Sequence, residues 1–219
     1  TFSTSRGAGI FKSTDGGKTF SLLSASSGFY YVNDLEVRNE SGSSVLYAAS
    51  DILFYQGQWN GSVNNIGLMR STDGGSSFTN VLPKAFTGAS YPSAISDIKL
   101  DKNNRIWLGT RANAAFTSSD KGGGRVLYSD NGTTFTEAYK NSNGLAGRVE
   151  LGVSPNNSDT LYALFESGGK ADLIIRSFNG GSNWSSISEP VDADQGIPST
   201  DFTRGQAWYD LVMSVNPKN

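Results

Sequence analysis

The sequence predicts an all-β fold built from repeated four-stranded antiparallel sheets. Three observations carry that prediction: an octet that recurs along the chain, short alternating runs at matching distances before each copy, and a composition suited to strands and tight turns. The octets are Ser13-Thr-Asp-Gly-Gly-Lys-Thr-Phe20, Ser71-Thr-Asp-Gly-Gly-Ser-Ser-Phe78, Tyr128-Ser-Asp-Asn-Gly-Thr-Thr-Phe135 and Ser177-Phe-Asn-Gly-Gly-Ser-Asn-Trp184. Aligned without gaps they share Ser-x-Asp-x-Gly-x-Thr-aromatic, with Tyr128 in the serine slot of the third copy and Asn179 and Asn183 in the Asp and Thr slots of the fourth. From one Asp position to the next the spacings are 58 (15 to 73), 57 (73 to 130) and 49 (130 to 179). A period near 50 is that of a β-propeller with one four-stranded blade per repeat.

Each element follows from local chemistry. Asp-Gly, Asn-Gly or Gly-Gly between two β runs is a hairpin signal, because tight turns need positive φ. Asp15, Asp73, Asp130 and Asn179 are predicted to accept backbone N–H groups inside their own turns, a purely structural task. Gly17, Gly75, Gly132 and Gly181 take the left-handed position, and Phe20, Phe78, Phe135 and Trp184 return to the core as anchors. Upstream lie Leu46-Tyr-Ala-Ala49, Ile106-Trp-Leu-Gly109 and Leu161-Tyr-Ala-Leu164, and further upstream Asn33-Asp-Leu-Glu-Val37, Ser96-Asp-Ile-Lys-Leu100, Arg148-Val-Glu-Leu-Gly152 and Trp208-Tyr-Asp-Leu-Val212. Their alternation reads as strands. Each blade is thus strand A, strand B, strand C, the octet turn, then strand D. Residues 1–219 form part of one propeller domain. A partial blade covers 9–23, whole blades cover 33–82, 96–137 and 148–188, and 208–214 supply the first strand of a next blade. A ring must close to hide its outer strands, so the rest of its own chain is expected to complete it. Closure by 208–214 onto the first blade, as a four-bladed ring, leaves strand B absent.

Composition removes several functions. The 219 residues carry a net charge of −2 with no run of like charges, so neither a basic stripe for nucleic acid nor a polybasic membrane segment is present. Cysteine and histidine are both absent. Disulfides, zinc-thiolate sites and a Ser-His-Asp triad are therefore excluded from this stretch. No apolar run approaches the roughly 20 residues of a membrane helix. Thr1 in place of Met suggests a processed start, and a secreted or cell-surface location is expected. Asp192-Ala-Asp-Gln-Gly196 lacks the Gly and Glu placement of a calcium loop, and Gly7-Ala-Gly9 lacks the context of a phosphate loop. No metal and no cofactor are expected.

The four octets resemble the Asp-box, or BNR, repeat of sialidases, exo-xyloglucanases, sortilin-type receptors and photosystem-assembly propellers. The resemblance covers essentially the whole chain. A weaker one links Gly205-Gln-Ala-Trp-Tyr-Asp-Leu-Val-Met-Ser-Val-Asn-Pro217 to large surface propeller proteins of Bacteroidetes-type bacteria. The resemblance implies a propeller and leaves the activity open, because a fold hosts many. In a propeller the B-to-C and D-to-A connections share one face, opposite the octet turns. The long loops of that face are where binding is expected. Tyr30, Tyr31, Tyr55, Trp59, Arg111 and Arg204 are the candidate ligand-binding residues, since aromatic faces stack on sugar rings while polar groups bond the hydroxyls. Arg111 and Glu166, at matching strand ends, line the channel or pair between blades. Glycosidase chemistry needs two carboxylates about 5 to 9.5 Å apart. Asp51, Glu166, Asp194 and Asp201 form the shortlist for it. The sialidase arginine triad that the resemblance implies cannot be assembled here. Two readings follow: a propeller that binds glycan or a protein partner through this face, and a glycoside hydrolase using paired carboxylates.

Overall fold

Asp-Gly and Asn-Gly turns set the rhythm, and the chain obeys it with antiparallel sheets of neighbouring strands. The computed structural model describes residues 5–82, 93–113, 115, 120–141, 146–191 and 201–217. Short strands β1 (Phe11–Lys12) and β2 (Ser21–Leu22) pair first. The first four-stranded sheet joins β3 (Tyr31–Glu40), β4 (Ser43–Asp51), β7 (Gly67–Ser71) and β8 (Thr79–Asn80) in that order. The second joins β9 (Ala94–Leu100), β10 (Ile106–Arg111), β11 (Arg125–Ser129) and β12 (Thr136–Lys140). The third joins β13 (Arg148–Val153), β14 (Leu161–Ser167), β15 (Lys170–Ser177) and β16 (Ser185–Ile187). These are the blades of a β-propeller.

Sheets stack face to face, and each seam has its own apolar core. Tyr47, Ala49 and Leu68 of the first sheet meet Ile95, Ile98 and Leu108 of the second. Trp107 and Val126 of the second meet Val149, Leu151 and Phe165 of the third. Ala48 and Met69 look the other way, onto Ile10 and Phe29. Successive residues thus serve opposite seams, as the two-residue period of a strand requires.

The innermost strands are also tied by polar bonds. Asp34 Oδ2 accepts the Ile98 amide at 2.8 Å, and Asp97 Oδ2 accepts the Leu151 amide at 2.7 Å. Asn33 donates to the Ile95 carbonyl at 2.7 Å, and Ser96 Oγ donates to that of Val149 at 2.8 Å.

Ser, Asp or Asn, and glycine of each octet form a clasp. Ser71 Oγ donates to Asp73 Oδ1 and accepts the Gly75 amide, both at 2.8 Å. Asp73 accepts the Ser77 amide at 2.9 Å and the Ser77 hydroxyl at 2.6 Å. Asp15 repeats this with Ser13 and Thr19, and its carboxyl is held down at about 2, first by the Thr19 hydroxyl. Asn179 accepts from Ser177 and Asn183.

The third copy corrects the gap-free alignment. Its serine is Ser129, and its acceptor is Asn131, not Asp130. Asn131 Oδ1 takes the Thr133 and Thr134 amides at 2.9 and 2.8 Å. Asp130 points outward to an ion pair with Arg105. The turn is one residue shorter, since Ser129 bonds the amide three residues on instead of four.

Three further expectations change. Phe135 is buried and Phe78 packs edge-on to Phe29 at 5.1 Å, but Phe20 is 61% exposed, because no described sheet lies on its outer side. Residues 208–214 contain no strand. The Tyr209 and Asp210 amides bond to the Gln206 carbonyl, which makes a turn, and no described strand offers a ladder. Leu211 instead packs with Leu164 and Ile174. The 51–66 connection holds a hairpin of its own, β5 (Leu53–Tyr55) with β6 (Gln58–Asn60). Its turn is Gln56-Gly57, with φ of 48° and 82°.

Candidate functional site

Strands β4, β10 and β14 all end on the face opposite the clasps, with Asp51, Arg111 and Glu166 at or beside their last residues. Ladder irregularities fall close to these ends, between Val32 and Asp34, Gly109 and Thr110, and Phe165 and Glu166. Such bulges bend strands where side chains must be re-aimed.

Asp51 sits at the seam of the first two sheets with no exposed side-chain surface. Its Oδ1 accepts the Ile52 amide at 2.7 Å and the Asn113 side chain. Asn113 also donates to the Ile52 carbonyl at 3.0 Å. Asp51 Oδ2 lies 3.6 Å from Arg111 Nε, and neither atom makes a hydrogen bond. Burial pushes the Asp51 carboxyl up, and Arg111 opposes that push. Arg111 therefore pairs across a seam with Asp51 rather than with Glu166. Glu166 is buried and accepts the Gly169 amide at 2.7 Å, closing the β14–β15 turn. Asp201 is spent on a turn too, accepting the Thr203 hydroxyl at 2.5 Å and the Gly205 amide at 2.9 Å. Asp194 lies outside the described residues. The three described carboxylates of the shortlist thus serve three separate local structures.

The aromatic candidates come together more closely. A pocket of about 420 Å³ opens beside the start of β3, lined by Arg6, Gly7, Tyr30, Tyr31, Asn33 and Leu53 among others, with no carboxylate among the described residues of its wall. The Gly7 amide donates to the Tyr30 carbonyl at 2.8 Å, which fixes the wall. Arg6 lies over the Tyr30 ring, 3.8 Å from its centroid. Leu53 of this wall begins the β5–β6 hairpin. There Phe54 and Trp59 face each other across the strands at 5.5 Å, and Trp59 is 44% exposed. Tyr55 is half-buried opposite Gln58. Arg204 is not in this pocket; it stands in the 201–206 turn with φ of 54°.

A second group escaped sequence reasoning. Asp34, Asp97, Lys99, Arg148 and Glu150 stand on the three innermost strands. Lys99 bonds Asp97 and stands 4.0 Å from Asp34, while Arg148 bonds Glu150. Burial raises Asp97 to about 6, against the pull of Lys99. Burial, then the Asp97 charge, raises Glu150 to about 7. The signal was present as an acid at the same place in Asn33-Asp-Leu, Ser96-Asp-Ile and Val149-Glu-Leu. Among the described residues no cluster of acidic side chains could hold a metal ion, and no helix is long and apolar enough to cross a membrane.

No family model matches the sequence, and no curated protein matches it. Among solved structures, the GH74 enzyme of Niastella koreensis is similar with a TM-score of 0.57 and 23% identity, over 81% of this chain and 26% of that one. An ancestral GH74 enzyme gives 0.58 and 22% over 85% of this chain and 22% of its own. The GH74 xyloglucanase of Xanthomonas campestris gives 0.56 and 15% over 87% and 28%. The chain therefore has the fold of these β-propellers and spans about a quarter of their length.

Proposed function

We propose that this chain is an Asp-box propeller segment of a secreted or cell-surface protein that binds glycan on the face opposite its clasps. One observation carries the reading: the described wall of the pocket beside β3 is aromatic, holds no carboxylate, and borders through Leu53 a hairpin that also carries the exposed Trp59. Sugar recognition asks for such a surface, with rings to stack on C–H faces and a few fixed polar groups for orientation. The GH74 likeness supports a glycan as the ligand. The protein that carries the chain is the proper material for the test, on a glycan array with a parallel hydrolysis assay. Binding without turnover is expected, and Tyr30→Ala and Trp59→Ala are each expected to weaken it at least tenfold, about 1.4 kcal/mol. Wild-type affinity in both variants, or no glycan bound at all, overturns the reading.

A glycoside hydrolase is the second reading. It is favoured by Asp51, a buried carboxyl with a raised protonation range and one oxygen free of hydrogen bonds. Loss of turnover in Asp51→Asn with the fold intact would select it. An Asp51→Asn variant that cleaves as the parent does removes it.

A further inference from the structure

We infer that the pocket beside β3 selects acidic sugars, with Arg6 as the residue that holds a uronate carboxylate. The inference rests on the glycan-binding reading and names the ligand class for that site. Among the described residues, Arg6 is the only charged member of the pocket wall, and no Asp or Glu stands there. No described carboxylate pairs with it, although most other arginines of the chain are so paired: Arg38, Arg70, Arg105, Arg111, Arg125 and Arg148 each have an acid within 4.0 Å. A site that bound only neutral rings would have no use for a guanidinium that no described acid pairs.

Placement adds to the charge. A guanidinium laid on a ring face keeps its N–H groups in its own plane, pointing away from the ring. Arg6 Cζ lies over the Tyr30 ring, 3.8 Å from its centroid. Held on the ring, its fork is available to meet a carboxylate with two parallel hydrogen bonds. The backbone on both sides of the stack is also fixed. The Gly7 amide bonds the Tyr30 carbonyl, and a Cβ at Gly9 would lie 2.5 Å from the Ser26 carbonyl oxygen. Asn33, whose amide group is anchored on the Ile95 carbonyl, offers a fixed polar edge for a hydroxyl. The volume of about 420 Å³ is in the range of small-ligand sites. Aromatic walls with one cation fit a sugar ring that carries one carboxylate better than they fit an extended acidic peptide.

The test compares each acid with its own neutral ester. Short oligouronates from galacturonan, alginate and glucuronate-bearing xylan are titrated against the protein, beside their methyl esters and a poly-glutamate peptide. At least one acid is expected to bind tenfold or more tighter than its ester, with the difference shrinking as salt rises. Arg6→Gln is expected to abolish that preference. Arg6→Lys is expected to recover only part of it, because the charge returns without the fork. Arg6 is exposed, so both variants should melt like the parent. Equal binding of every acid and its ester overturns the inference but leaves the glycan reading standing. Binding of poly-glutamate as tight as the best uronate overturns the inference as well. Failure of acids, esters and neutral glycans alike overturns both.

Discussion

Ser71 shows how much one hydroxyl does in a clasp. It is buried, donates to Asp73 and accepts the Gly75 amide. Ser71→Ala leaves that amide unpaired out of water, and should cost about 1–3 kcal/mol in chemical denaturation. The glycine that follows is fixed by its neighbour as well as by its φ. A Cβ on Gly75 would lie 2.4 Å from Leu23, just past β2, and one on Gly132 or Gly181 would lie 1.9 Å from the Tyr47 hydroxyl or 2.6 Å from Trp107 on the preceding sheet. The octet thus locks its own turn and rests on the blade before it. Much of this was legible in sequence, since Ser, Asp and Gly each have a turn role that spacing reveals. The third copy misled because Tyr128-Ser-Asp-Asn fits the pattern without a gap and offers a carboxylate at the expected place. Only the bonds identify Asn131 as the acceptor. Asn131→Ala should therefore lower the melting temperature clearly. Asp130→Ala removes an exposed ion pair and should change stability by less than about 1 kcal/mol. The reverse order in thermal melts would restore the gap-free alignment.

Among the elements, the strands were legible through their alternation, and the β5–β6 hairpin was not. Phe54-Tyr-Gln-Gly-Gln-Trp59 mixes aromatic and polar residues without a strict period, and its turn uses Gln56 at positive φ where Asn is commoner. The candidate site was half legible. Tyr30 and Tyr31, candidates by residue type, line the pocket, while no spacing pattern marks Arg6. Spacing could not say that 5–9 folds back on 29–33. Gly109 supplies a test at this scale. It sits in β10, and an added Cβ would lie 2.2 Å from the Val149 carbonyl oxygen on the third sheet. Gly109→Ala must push β13 away and should destabilise the chain by about 1–3 kcal/mol. An unchanged denaturation midpoint would mean that the seam is loose.

Over the whole molecule, the inner acids set a pH response. Asp97 ordinarily titrates at 3.8 and Glu150 at 4.5, and burial lifts them to about 6 and about 7. The folded chain then holds protons that the unfolded chain has released. Their stabilising contribution is complete below the ordinary values and is lost as pH rises through about 6 and then about 7. Asp15 works in the opposite sense. Held at about 2, it contributes above 3.8 and loses that contribution as pH falls through about 2. Stability should therefore decline between pH 5 and 8, and Asp97→Asn with Glu150→Gln should flatten the decline. A melting temperature that climbs over that interval would contradict this assignment.

The links between inner strands also have a sense of direction. Asp34 reaches forward to Ile98 and Asp97 reaches forward to Leu151, and among the described residues no inner-strand carboxylate reaches back for an amide. The surface that gives such a link differs from the surface that takes it, so the contact is heterologous. Repeating it always turns the same way, like stairs around a post. A break anywhere in the series exposes one giving edge and one taking edge, two unlike faces that cannot mate as a mirror-matched pair.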